Sequence, residues 1–400
     1  MTRSVPKADW SKGANNISPA DRLPDGFVRS AVNVDPTPGG KLVLRAGYEK
    51  LYDGSNARGL LALGTKLLIA DGADLVEFDT LTNSARVLRT IASTGRFVGD
   101  DMGGKLYICT ENEALMYDGE IKPWGVPDVR AQPQVTLVDG GLIAGLYNVA
   151  ITYTDAWGRE GGTDNPLLLN VPANGGMQVQ LPTPPAGCTI NVYAGHAQGS
   201  TLYWQGTYDA AVLVSLTVLR DDTQRLGTQL MREPVVGSLV VSHNGCLLVA
   251  AGRTVWATAP LRPHLMDRQR RFFQYPADVG AMMSTGEALF VSADKSYALT
   301  NVETDTPTQR TVLEFPAIPG TAVILPDGRG AWMTQYGQAI TEGENLDLVN
   351  RQSFTVGQPT SGAAGVVENN GNQMVVTSTR GGNGPNGLAA SDYFFGEILN

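Results

Sequence analysis

The sequence predicts an all-β chain: a β-propeller of about six blades with an inserted immunoglobulin- or fibronectin-like β-sandwich. Three observations predict it. Helical periodicity is nearly absent, and the apolar segments alternate in the two-residue period of half-buried strands. The 47 glycines and 23 prolines are spread along all 400 residues, so they mark many turns and not one disordered tract. A glycine-centred hairpin unit also returns at a nearly constant interval.

The first element is an N-terminal arm, residues 1–27. Trp10 to Leu23 has turn formers and apolar Trp10, Ile17 and Leu23 but no strand pattern, and reads as an ordered extended arm. Next comes the stretch "RSAVNVDPTPGGKLVLRAGYEK". Two short apolar runs, Ala31–Val34 and Lys41–Leu44, flank Asp35-Pro36-Thr37-Pro38-Gly39-Gly40, the chemistry of a turn. Residues 28–52 have no repeat partner. They are expected to share a closing blade with the C-terminal "SDYFFGEILN", because such pairing removes two open sheet edges.

The repeat reads "LGTKLLIADGADLVEFD" from Leu63, and returns from Met102, Asn244, Thr285, Asp327 and Asn370. Its glycines are Gly64, Gly103, Gly245, Gly286, Gly328 and Gly371, at spacings of 39, 142, 41, 42 and 43. Glycine reaches positive φ without steric cost, so it suits a tight hairpin. A strand pair cannot bury a core alone, so the units must stack. The one long interval holds about 100 extra residues, roughly 130–232. There "GLYNVAITYTDAWGREGG" alternates cleanly through Tyr147, Val149, Ile151 and Tyr153. "MQVQL", "CTINVYAG", "STLYWQGTY" and "AAVLVSLTVL" follow. That is about seven short strands at sandwich spacing. The expected organisation is arm 1–27, propeller 28–129, insert 130–232 and propeller 233–400.

Composition bounds the function. Charged residues are only 17% of the chain, which fits a surface partly covered by partners. A net charge of −9 argues against a general nucleic-acid binder. Cys109, Cys188 and Cys246 are far apart, odd in number and without a CxxC, and read as buried free thiols in a reducing compartment. The start of the chain has no apolar signal region, and no run of 18 apolar residues spans a membrane, so synthesis in a cytoplasm and no membrane insertion are expected.

The search for chemistry predicts no enzyme, no cofactor and no metal. His196, His243 and His264 share no ligand motif; His243 precedes a turn and reads as a surface or turn residue. There is no nucleophile elbow, phosphate loop or calcium loop. "RGGNGPNGLAASD" at 380–392 lacks the Lys-Ser/Thr pair and reads as a flexible loop. Asp100-Asp101 and Asp221-Asp222 read as solvated turn carboxylates. "LPDGRGAW" at 325–332 matches the blade-turn motif of sialic-acid hydrolases only in Asp327, Gly328 and Trp332. One cluster stands out, "LRPHLMDRQRRFFQYP" at 261–276. Arg262, Arg268, Arg270 and Arg271 beside Phe272, Phe273 and Tyr275 suit a solvated inter-blade loop, a docking surface for an acidic neighbour, or a nucleic-acid contact.

The opening "GANNISPADRLPDGFVRSAVNVDPTPGGKLVLRAGYEKLYDG" resembles the start of bacteriophage virion proteins of tail gene clusters. Asn15, Asn16, Leu23, Pro24, Gly26, Arg29, Ala31, Val32, Asn33, Asp35, Gly40, Arg45, Gly47 and Tyr48 carry the resemblance. "YNVAITYTDAWGREGG" and "GRTVWATAPLRPHLMD" look like the same group, so the likeness spans roughly residues 13–300. The chain resembles the β-propeller nozzle, or tail-tube hub, proteins of short-tailed phages, although it is shorter than many of them. The resemblance implies a ring of identical copies, six being the expected number, in the virion tail. It implies portal or adaptor proteins as neighbours and double-stranded DNA passing without specific binding. Trp10, Ile17, Leu23, Arg268, Arg270 and Arg271 are the expected subunit-interface residues. Rival readings are a carbohydrate-binding adhesin using Trp157, Trp204 and Tyr203, and a propeller glycan hydrolase. For those three aromatics a place in the insert's core is the plainer expectation.

Overall fold

The computed structural model describes residues 9–29, 34–37, 39–44, 47, 49–91, 95–349, 351–356, 359–369, 372–381 and 394–399. The chain is all-β and of the β-propeller class. Its only helical turn among the described residues is a 3-10 turn at Ala20–Arg22. Six sheets recur in chain order, and in each the strands pair with their neighbours in sequence, except that Phe272–Gln274 pairs with Thr254–Ala259. The first has strands Ala57–Leu63, Lys66–Asp71, Asp74–Asp79 and Ser84–Thr90. Further four-stranded sheets occupy residues 98–123, 281–313 and 323–348. A five-stranded sheet occupies 239–274, and a three-stranded one occupies 361–399.

Gly64, Gly103, Gly245, Gly286 and Gly328 each fall between the first two strands of their own sheet. Two of these loops show why. Met102 pairs with Lys105 around Gly103-Gly104, at φ 62° and 74°. His243 pairs with Cys246 around Asn244-Gly245, at φ 45° and 74°. Two consecutive left-handed residues make the turn whose twist matches the flanking strands. Gly371 lies outside the described residues.

The chain divides into two compact units. The first comprises residues 1–55, 252–254 and 274–400. Its sheets at 281–313 and 323–348 share a core in which Phe290 meets Trp332 edge-on, ring centroids 6.5 Å apart. Leu325, Ala331, Ile340 and Val375 join the sheets at 323–348 and 361–399. The turn chemistry of the opening stretch forms a hairpin, Val34–Pro36 against Leu42–Leu44, with Gly40 at φ 76°. The expected shared closing blade is not what the described strands form. Val34–Pro36 pairs only with Leu42–Leu44, while Phe394–Leu399 runs antiparallel to Asn372–Arg380. The terminal strand satisfies one edge within its own sheet, in a six-residue register from Gln373↔Leu399 to Ser378↔Phe394. The Arg380–Asp392 loop lies almost wholly outside the described residues.

The arm folds back onto its own unit. Trp10 N–H donates to Gly40 O (2.8 Å), Asn15 N–H to Val28 O (2.9 Å) and Val28 N–H to Gly13 O (2.8 Å). Asn15 and Asn16 are buried. Asn15 Oδ1 accepts from the N–H groups of Ile17 and Ser18 and shapes the turn after it. Asn16 acts at long range. Its N–H donates to Ser353 O, its Nδ2 to Thr355 O (2.8 Å), and its Oδ1 accepts from Thr355 N–H (3.0 Å). One side chain thus imitates a strand neighbour for residue 355.

The second unit comprises residues 56–251 and 255–273. Its sheets at 57–90 and 98–123 enclose Leu68, Leu75, Leu106, Ile108 and Tyr117. Buried Glu77 ties these two sheets together. It accepts two hydrogen bonds from Arg86 (3.1 and 2.7 Å) and one from Tyr117 Oη (2.6 Å), and the Arg86 guanidinium holds its carboxyl down to about 2. A second core joins the sheets at 98–123 and 239–274 through Tyr107, Trp124, Leu247, Val249 and Met266. Asp100 bridges the same pair: its Oδ2 accepts from Ser242 N–H (2.7 Å), and burial raises its pKa. It is therefore no solvated turn carboxylate, because it caps a backbone N–H of the neighbouring sheet. Asp221 and Asp222 are exposed, as expected. His243 is buried, since it ends a strand whose side chain faces inward. Cys109 and Cys246 are buried free thiols, and Cys188 is partly exposed.

Within this unit, residues 134–216 form seven strands in two sheets, one of three strands and one of four. Leu142, Tyr147, Val149, Ile151, Val171, Met177, Val179, Ile190, Val192, Val214 and Leu216 make one core shared by both. The alternation predicted at Tyr147, Val149 and Ile151 is the inward face of Gly145–Asp155.

Candidate functional site

A narrow neck joins the seven-stranded segment 134–216 to the chain on either side. Val129 N–H donates to Gly162 O (3.1 Å), Asp164 N–H to Val129 O (3.2 Å), and Leu230 N–H to Thr163 O (2.8 Å). Arg232 and Met266 exchange two backbone bonds, of 2.8 and 2.7 Å. Gly162 permits this approach, because a Cβ there would overlap the Met231 carbonyl.

Charges line the neck. Arg232 pairs with Asp164, and its Nη1 stands 4.0 Å from Asp128 Oδ2. Arg130 pairs with Glu233 at 2.9 Å. Asp128 Oδ1 accepts from Glu233 N–H (2.7 Å), yet Asp128 Oδ2, Arg232 Nη1 and Arg268 Nε are buried without hydrogen-bond partners. Burial pushes Asp128 up to about 6 and lowers Arg268. His264, also partly buried, is pushed down to about 4 by burial and by the Arg159 charge.

The Asp128 shift has a definite sign. Its folded pKa lies above the ordinary 3.8, so the protonated form is the one the fold prefers. The stabilisation is complete below pH 3.8 and is lost as pH rises through about 6. Asp128→Asn keeps the acceptor for Glu233 N–H and removes the charge. The melting temperature of this variant is expected to exceed that of the natural protein at pH 7–8 and to match it near pH 4. Equal differences at both pH values would contradict the assignment.

Beside the neck lies a cleft of about 630 Å³. Its wall includes Asp155, Trp157, Arg159 and Cys188 from the insert, and Glu233 and Arg268 from the returning chain. The turn Asp155-Ala-Trp-Gly-Arg159 builds its rim. Asp155 Oδ1 accepts from Trp157 N–H (3.0 Å) and Arg159 N–H (2.9 Å), and Gly158 sits at φ 76°. Arg159 Nε donates to Asp155 Oδ2 (2.7 Å), and its Nη1 and Nη2 reach the carbonyls of Trp124 and Pro123. The turn is thereby fixed to the sheet at 98–123. Trp157 is 52% exposed. Lys122 Nζ and the Arg159 guanidinium each lie 5.3 Å from its ring centroid.

The expected functional residues are scattered. Trp10 and Leu23 are half-buried in the arm, and Ile17 is exposed at 46%. Of the arginine cluster, only Arg262 and Arg270 are exposed. Arg268 turns inward and donates to Glu233 O (2.5 Å), and Arg271 donates to Cys246 Sγ (3.5 Å). Trp157 is not in the insert's core, because Asp155 caps the turn that lifts it out. Trp204 and Tyr203 are half-buried, each with an arginine over its ring. No group of three metal-ligating side chains occurs among the described residues. No helix among them is long and apolar enough to cross a membrane.

No family model matches the chain, and no curated protein matches it. Three solved structures similar to it share 8–9% identity with it. One is AztD from Citrobacter koseri, with a TM-score of 0.32, covering 76% of this chain and 75% of that one. Another is BBS1N in complex with ARL6DN, at 0.33, covering 83% and 93%. A third is the AfRom2 CNH domain, at 0.30, covering 86% and 94%. The fold assignment rests on the strand order of this chain.

Proposed function

We propose that the chain is a structural component of a bacteriophage tail, working as a ring of identical copies that bounds the DNA exit channel. The observation that carries this reading is the use made of the phage-like opening. Asn15, Asn16, Gly26 and Gly40, all residues of that resemblance, fix the arm and its hairpin: the asparagines by hydrogen bonds, the glycines by φ of 89° and 76°. The shared motif thus serves architecture. A ring of head-to-tail copies closes when the rotation between neighbours closes. The net charge of −9 suits a wall that repels phosphate within about 8–10 Å at physiological salt, so that DNA passes without adhering. Nearest neighbours would be portal or adaptor proteins and other tail parts.

The test is a nonsense codon at position 16 in the phage that encodes the chain. Filled heads that fail to eject DNA, restored by the protein supplied in trans, are the expected result. Fully infective particles lacking the chain would overturn the proposal.

A further inference from the structure

We infer that the cleft beside the neck is a binding site for a neutral saccharide, with Trp157 as its stacking platform. This inference is independent of the tail reading and stands on the geometry of the second unit alone.

The first argument is the state of Trp157. Trp157 is 52% exposed; its backbone is fixed in a turn closed by Asp155, and its indole rests against Lys122 and Arg159. The side chains of Lys122 and Arg159 are only 13% and 16% exposed, while the ring they touch is half exposed. The cations are buried against the ring while half of the residue stays exposed, and Trp157 lines the cleft. A supported, half-exposed aromatic ring at a cleft rim is suited to the apolar C–H face of a sugar ring. The ordering entropy that a mobile side chain would lose on binding is already absent.

The second argument is charge. Asp155 is neutralised by Arg159, and Glu233 by Arg130. Arg268 lies on the same wall and is buried against the Glu233 carbonyl. The charged residues on the wall are two carboxylates, Asp155 and Glu233, and two guanidiniums, Arg159 and Arg268, so their charges balance and a charged ligand would gain no net counter-charge on entering. Hydrogen-bonding capacity remains. Glu233 Oε1 is used by Arg130, while its Oε2 is left to accept a hydroxyl. Arg268 uses Nη2 on the Glu233 carbonyl, and its Nε is buried without a partner. A polyhydroxylated neutral ligand can both donate to such an acceptor and accept from the remaining guanidinium N–H groups.

The third argument is size. A cleft of about 630 Å³ lies within the roughly 300–1,000 Å³ range of small-molecule sites and admits a short oligosaccharide.

The test uses the full chain on a glycan array holding both neutral and acidic oligosaccharides. Titration of the best neutral binder then follows, by saturation-transfer NMR and by tryptophan fluorescence. Neutral glycans are expected to be retained, with saturation on one face of a single sugar ring. Trp157→Ala should weaken binding about tenfold or more. Trp204→Ala, which changes an aromatic outside the cleft, should leave it unchanged. A melting curve of Trp157→Ala equal to that of the natural protein keeps loss of fold out of the comparison, and Trp157→Phe should recover part of the affinity. Retention of acidic glycans only, no retention of any neutral glycan at millimolar concentration, or binding that survives Trp157→Ala would each overturn the inference. None of these outcomes bears on the place of the chain in a tail.

Discussion

Trp124→Ala should destabilise the second unit by about 3–5 kcal/mol, the range for emptying a fully buried tryptophan site. Trp124 is completely buried and belongs to the core shared by the sheets at 98–123 and 239–274. Its ring lies 5.3 Å from Tyr107, and its Nε1 donates to Pro263 O at 2.7 Å. Its carbonyl also receives Arg159 Nη1, so the residue links the core to the turn that carries Trp157. Truncation would leave a cavity, an unpaired Pro263 carbonyl and a loosened turn. Denaturant unfolding followed by tryptophan fluorescence measures the effect. Trp124→Phe should recover part of the loss, since it fills space without the hydrogen bond, which contributes about 1 kcal/mol. A cost below about 1 kcal/mol for Trp124→Ala would mean that the two sheets do not depend on this residue for their packing.

The second large effect is expected at Asn16. Asn16→Ala removes a donor to Thr355 O and an acceptor for Thr355 N–H, and leaves both backbone groups without that partner. Two lost bonds in a buried setting amount to about 2–3 kcal/mol. The consequence should be release of the arm rather than global unfolding. Hydrogen exchange should accelerate at residues 13–17 and at 353–355, with the sheets at 281–313 and 323–348 still protected. If the chain is the tail component proposed above, release of the arm should also reduce its entry into particles. Unchanged exchange at 353–355 would contradict the role given to Asn16.

The two variants mark where the sequence is legible. The sheets could be read because each repeat glycine acts locally. A hairpin needs left-handed backbone at Gly103 and Gly104, and nothing distant decides it. The strand Gly145–Asp155 was legible for a similar reason, since alternation at Tyr147, Val149 and Ile151 follows from one buried face. The destination of the arm was not. Asn16 meets residues 353–355, more than 300 positions away, and no local pattern encodes that contact. The partner of the terminal strand was hidden in the same way, because an edge can be satisfied by any strand within reach. In the candidate site, Trp157 and the Asp155 turn were visible as residues, but exposure depends on Arg159 reaching the carbonyls of Trp124 and Pro123. Arg268 and Arg271 looked like a surface cluster, and two acceptors turn them inward: the Glu233 carbonyl and Cys246 Sγ. Charge in sequence gives composition, whereas orientation comes from tertiary contacts.

Electron cryomicroscopy of the phage particle, with this chain traced in the density, tests the proposed place in a tail. Several identical copies in a ring around the tail channel, with acidic side chains toward the DNA path and each arm on its own subunit, are the expected result. A chain absent from the particle, or present only at the tail periphery without contact to the channel, would contradict it.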